Sequence, residues 1–418
     1  MSDETTTRND SRPDLGDLVS RAGRFIRNLI IGLVRVIRRL AYRAGGFAEH
    51  WLMDAKRARY GIAVTRMLLG ATGIGLLLAN FSTRLYTFGS GYAWSGETAE
   101  PASALPRVWL FSLFHQIQLN DVIFTLGYLI LFLLAVAVLL GWRTKLTLPI
   151  FFVAWVSFIE LNDSASDQGD NMFRIALLSL IFADSASRWS LDSRRRSRVE
   201  VDPQANWLVR VWQGERLLPE WLTNVMHNLV LVSMTFHVCI VYASGALYKA
   251  GGEPWQEGYA IYNPLHVARF GPWPELSDLL TTWAPMVTVI SWSSIIIQLC
   301  FPMMLLNRIS RVIGLFGILS FHIGIAVLMG LPWFSLAMIA IDSIFIRDVT
   351  WRRMAAFVRR AWRRAGARPA EARPAEREEP AVSVAVVPAE EPRQLADAGV
   401  RNSPGLGGAV QQPHPGGG

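Results

Sequence analysis

The chain has 418 residues, 51% of them hydrophobic, with a mean hydropathy of +0.27. The apolar residues gather in long runs with few charges, which excludes an ordinary soluble core and indicates a multi-pass membrane protein in contact with the lipid bilayer. The net charge of +8 comes from Lys and Arg flanking those runs, so the positive-inside effect accounts for it and no nucleic-acid partner is implied.

Cys239 and Cys300 both lie within apolar runs and cannot build a disulfide framework. No short apolar core with a small-residue cleavage site stands near the N-terminus, so no removable signal peptide is expected. Residues 1–20 are polar and expected to be disordered. From Arg21 to Leu40 arginines recur too often for a span, and an apolar set separates them. This predicts a basic amphipathic helix, within residues 21–54, lying on the cytoplasmic membrane face. A span here would bury Arg35, Arg38 and Arg39.

Eight spans are predicted in residues 55–350: 60–80, 122–140, 146–161, 171–183, 225–248, 283–306, 312–329 and 334–346. Residues 81–120 and 249–278 form outer segments rich in Gly and aromatics. Between the fourth and fifth spans, residues 199–216 alternate as a small hairpin would. Lys and Arg cluster before the first span, at 143–145, 194–198 and 308–311, and after Arg347. That asymmetry places both termini in the cytoplasm and the protein in the inner, cytoplasmic membrane of a bacterium. Residues 351–366 read as a basic juxtamembrane helix, and residues 367–418, dominated by Pro, Ala, Glu and Gly, as a disordered tail. The fold class is all-α, a polytopic membrane helix bundle.

Polar groups inside a bilayer are costly and become candidates for function or for mutual pairing. Asp170 and Arg174 stand at i, i+4 with the acid first, the favourable order for a helical ion pair. Glu160, Asp163, Asp167 and Asn171 are close by, but without EF-hand spacing, and no metal site is expected. Arg66 and Asp342 sit at similar depths in the first and last spans, which suggests a second ion pair. His227, His237, His266 and His322 show no zinc spacing, and no phosphate loop, nucleophile elbow or Cys-x-x-Cys occurs.

The fifth span ends in Tyr242-Ala-Ser-Gly245-Ala-Leu-Tyr-Lys249, followed by Gly251-Gly-Glu-Pro-Trp255. Tyr242, Gly245 and Lys249 share one helix face. Lys249 is either an interfacial lysine snorkelling from a helix end or a partly desolvated amine able to act as a base.

Four stretches carry a resemblance. They are Tyr60-Gly-Ile-Ala-Val-Thr-Arg66; Asp167-Gln-Gly-Asp-Asn171 with Arg174; Tyr242 to Lys249 with Gly252-Glu-Pro-Trp-Gln-Glu-Gly258; and His322-Ile-Gly-Ile-Ala with Met329-Gly-Leu-Pro-Trp-Phe-Ser-Leu-Ala-Met338. Together, over about residues 55–350, they resemble the HTTM domain, related to the membrane domain of vitamin K-dependent γ-carboxylase and to sporulation-delaying-protein B-like proteins. The resemblance implies an eight-helix bundle and oxygenation of a reduced naphthoquinone, with reduced menaquinone as the bacterial counterpart. It places Lys249 as the base, His322 as the family histidine, and Tyr242, Gly245 and Trp255 in the quinol pocket. Two departures stand out. A basic segment and polar tail follow the membrane part instead of the carboxylase's large non-cytoplasmic domain, so protein carboxylation is not expected. The Lys-to-Trp spacing is one residue longer. The rival class is a non-enzymatic membrane protein for maturation or export of a secreted peptide, or immunity to it.

Overall fold

The structure is a computed structural model and describes residues 15–95, 105–162, 165–199, 204, 206, 209–210, 218–268 and 270–366. All regular secondary structure among the described residues is helical. The chain divides into two units, residues 1–359 and 360–418; the second is described only through its helical residues 360–366.

Among the described residues, ten longer helices organise the chain. They are α1 (Leu15–Met53), α2 (Arg59–Ala79), α3 (Asp121–Leu140), α4 (Thr144–Ile159), α5 (Gln168–Phe182), α6 (Glu220–Ala250), α7 (Ala284–Met304), α8 (Arg308–Leu328), α9 (Pro332–Asp342) and α10 (Asp348–Gly366). Their boundaries follow from local chemistry. Asn120 caps α3 by accepting from the Ile123 amide. Gly141, at φ +66, closes α3 in the left-handed conformation that glycine adopts without strain. Asp167 and Asp170 form a reciprocal capping box at the start of α5, and Asn307 caps α8 through the Ile309 amide.

Each of the eight expected spans coincides with a helix, α2 to α9. Five of these, α2, α3, α6, α7 and α8, are long and apolar enough to cross a membrane. The others are shorter. At 16 residues α4 reaches about 24 Å, below the roughly 30 Å of a hydrocarbon core. One face of it is buried in protein, with Phe151, Trp155 and Phe158 wholly buried, while Leu146 and Ile150 on the other are exposed. The last span likewise shortens to α9 plus a 3-10 turn, Ser343–Phe345.

The centre of the bundle is α2, which packs on α3, α5 and α9. Small residues make this possible, since a Cβ at Gly70 would lie 2.6 Å from the Leu139 backbone nitrogen. In turn, α6 packs on α7, α7 on α8, and α8 on α9. Outward faces of these helices carry exposed apolar side chains, among them Val232, Phe236, Val289, Ile296 and Phe316. An apolar exterior over so many helices is the surface that lipid chains cover.

The helix α1 begins at Leu15, so residues 15–20 are helical where disorder was expected. Its apolar set, including Phe25, Leu29, Leu33 and Ile37, is exposed. Residues 1–14 and 367–418 lie outside the described residues, as does almost all of the expected hairpin at 199–216.

Candidate functional site

The site lies at the far end of α6, a 31-residue helix. Beyond Gly251 a short helix, Glu253–Gln256, starts with Pro254 in its first turn and brings Trp255 back towards the end of α6. The Lys249 ammonium lies 5.2 Å from the centroid of the Trp255 ring and 4.9 Å from that of Phe321 on α8. It donates to Gln298 Oε1 on α7 over 2.8 Å. Lys249 therefore does not snorkel outwards. It turns into the cleft between α6, α7 and α8, where an amide oxygen and two aromatic faces hold it.

Two turns deeper on the same face, Tyr242 is 2% exposed. Its hydroxyl donates to Asp342 Oδ2 on α9 over 2.6 Å and lies 3.1 Å from His322 Nε2 on α8. The phenol has one proton, and Asp342 receives it. His322 Nε2 must then carry a proton and donate to the phenol oxygen, leaving Nδ1 bare. Nδ1 of His322 and Oδ1 of Asp342, and on α9 also Oγ of Ser335, are buried without hydrogen-bond partners among the described residues. Phe301 sets its ring edge-on to Tyr242, with centroids 5.2 Å apart.

Between these two polar groups stands Gly245. A Cβ built there meets nothing within 4 Å, so the face of α6 between Tyr242 and Lys249 borders open space. The helical rise separates Tyr242 and Lys249 by about 10.5 Å along the axis. Of the sequence-predicted residues, Tyr242 meets His322 directly, and Lys249 meets Trp255. Lys249 and His322 are connected through neighbours, since Phe321 under the ammonium also stacks edge-on with His322. Gln298 and the link from Asp342 to Tyr242 were not anticipated. The signal for Gln298 was an amide within a long apolar run.

The two expected ion pairs are replaced by other partners. Arg174 binds Glu160 Oε1 at 2.5 Å and also Asn171, while Asp170 faces back to accept from the Asp167 amide at 3.0 Å. The capping box has claimed the carboxylate that the i, i+4 pattern assigned to Arg174. Arg66 is wholly buried and donates to the carbonyls of Val138, Leu139, Ser185 and Trp189. Its intended partner, Asp342, belongs to Tyr242. Asp163 lies outside the described residues. Among the described residues, no group of three or more His, Cys, Asp or Glu side chains is placed to hold a metal ion.

An all-α bundle with five membrane-length apolar helices and a polar cluster enclosed among them defines a polytopic membrane protein. The HTTM domain model matches residues 62–351, more than half of the chain, and the protein belongs to the HTTM domain family. No solved structure matches it.

Proposed function

We propose that this HTTM protein is a quinol-linked membrane enzyme of the bacterial inner membrane, with both termini cytoplasmic and Lys249 at the outer edge. Lys249 is the base, and its partner is a reduced naphthoquinone of the menaquinol type that enters from the bilayer. The residues fit such a group: two aromatic faces, Trp255 and Phe321, flank one amine, and open space adjoins Gly245. A bound menaquinol would supply the electrons for reaction with dioxygen. Lys249, as the free amine, takes a proton from a quinol hydroxyl. Gln298 orients that amine by accepting one N–H. Tyr242 and His322 form the deeper wall and keep it polar. The apolar exterior of α6, α7 and α8 suits the isoprenoid chain.

The observation that carries this reading is the inward turn of Lys249 onto Gln298, since a lysine with only an interfacial role reaches for water. The test is menaquinol epoxide formation in membranes containing wild type or Lys249→Ala. Product from the wild type and none from the variant is expected. No product from the wild type, or equal amounts from both, overturns the enzymatic reading and favours a role in maturation, export or immunity of a secreted peptide.

A further inference from the structure

Three helices deliver a phenol, an imidazole and a carboxylate to one buried point. Tyr242, His322 and Asp342 are 2%, 1% and 1% exposed, and among the described residues no basic side chain lies within ion-pair distance of Asp342. Burying a carboxylate without a cation is expensive, and one phenol hydrogen bond offsets only part of that cost. The guanidinium of Arg66, on the neighbouring α2, is spent on carbonyls. Hydrophobic residues of similar size would pack this position more cheaply. The arrangement therefore calls for a use, and its position indicates one. It lies on the Lys249 face of α6, beyond the space at Gly245, and it ends on an acceptor of protons.

We propose that Asp342, acting through the Tyr242 hydroxyl, receives the proton that Lys249 has taken up and so restores the free amine between turnovers. The inference rests on Lys249 being the base. In the transfer, an N–H bond of the Lys249 ammonium breaks and its proton passes by water in the Gly245 space to the Tyr242 oxygen. The phenol releases its own proton to Asp342 Oδ2 over the existing 2.6 Å bond. One O–H bond forms as another breaks and no electrons move. Because a quinol and dioxygen give epoxide and water with no net release of protons, Asp342 returns the proton by the same path as that water forms and is an acceptor again for the next turnover. Ammonium and carboxylate become amine and carboxylic acid, so two separated charges in a medium of low polarity are replaced by two neutral groups. The α6 face that borders this space is polar at both ends, where Lys249 bonds Gln298 and Tyr242 bonds His322, as a bridging water requires. Asp342 is not placed against substrate, and its role is that of a relay acting through Tyr242.

The test uses the full-length protein in lipid nanodiscs with menaquinol and dioxygen, comparing wild type and Asp342→Asn. Epoxide is followed in the first turnover and at steady state. Asp342→Asn keeps a first turnover within about twofold of wild type, while steady-state turnover falls about a hundredfold or more, the lower range for a lost proton-transfer group. A first turnover slowed as much as later ones indicates a purely structural role and overturns the proposal, as does wild-type turnover in Asp342→Asn. A second readout does not need activity. The infrared carbonyl band of a buried carboxylic acid, assigned by its loss in Asp342→Asn, is compared in wild type and Lys249→Met. A band changed by the lysine substitution supports proton coupling between the two residues, and an unchanged band overturns it. If the wild type makes no epoxide, the enzymatic reading fails and the infrared comparison alone decides the coupling.

Discussion

The guanidinium of Arg66 and the carboxylate of Asp342 do not meet, although their helices, α2 and α9, pack directly on each other. Arg66 instead gathers the carbonyls at the end of α3 and in the chain after α5, at Ser185 and Trp189. Those carbonyls include helix-end acceptors that lack intrahelical donors, so the arginine satisfies them as a five-donor fork. Exchange to Arg66→Asp together with Asp342→Arg should not restore what either single reversal destroys. Arg66→Met should destabilise by about 3 kcal/mol or more, because several buried acceptors lose a charged donor at once. Arg66→Lys should recover less than half, since a lysine cannot span four carbonyls. Thermal unfolding in detergent, followed by circular dichroism, measures each.

The helices were legible in the sequence because long apolar runs and caps are local signals. Side-chain partners were not, and the reasons differ between sites. For Asp170 the i, i+4 spacing to Arg174 was real, but the capping box at Asp167 competed for the same carboxylate, and Glu160, just past the end of α4, pairs with the arginine instead. For Arg66, similar depth in two spans said nothing of azimuth, and the acceptors were backbone carbonyls, which every residue carries. Lys249, Tyr242 and His322 were visible as polar residues on apolar helices. What joined Tyr242 to His322 and Asp342 was the packing of α6, α8 and α9, which no local pattern encodes.

Asn228, wholly buried on α6, ties the α1–α2 connection to the bundle. Its amide nitrogen shares two hydrogens among the carbonyls of Trp51, Leu52 and Ala55, while its oxygen accepts from the Arg57 amide at 2.9 Å. Asn224 adds a bond to the Met53 carbonyl. Asn228→Leu matches the volume but strands those backbone groups, at a cost of about 1–3 kcal/mol. The expected outcome is faster proteolytic cleavage within residues 50–57 in intact membranes, with the helices of the bundle still protected.

Lys56 and Asp184 form a nearly enclosed pair, 2.6 Å apart, that fastens the same connection to the end of α5. Burial alone would raise the Asp184 carboxyl, but the hydrogen bond and charge of Lys56, with Arg196 and Lys145, leave it below the ordinary value of 3.8. Because the folded value lies below the unfolded one, the pair's contribution is complete above about 3.8 and is lost as pH falls through the lower folded value. Asp184→Asn should therefore be less stable than wild type at neutral pH, by about 1–3 kcal/mol. The difference should shrink in the acid limb. Unfolding midpoints measured from pH 7 downwards give the comparison, and a gap that stays constant into the acid range would show that the charge contributes nothing.

Two glycines on different helices should respond in opposite ways to the same methyl group. At Gly70 a Cβ would come within 2.6 Å of the Leu139 nitrogen and 2.7 Å of its Cα, and backbone cannot swing aside as a long side chain can. Gly70→Ala must push α2 from α3 and should cost about 1–3 kcal/mol. At Gly245 the same methyl meets nothing within 4 Å. Gly245→Ala should leave stability unchanged or raise it by up to about 1 kcal/mol, because alanine holds a helix better than glycine. A bulkier Gly245→Phe enters the space between Tyr242 and Lys249. It should leave the fold intact while abolishing protection of the protein by added menaquinone against thermal unfolding. If Gly245→Phe still shows that protection, any quinone that binds does so elsewhere on the bundle, and Lys249 loses its proposed partner.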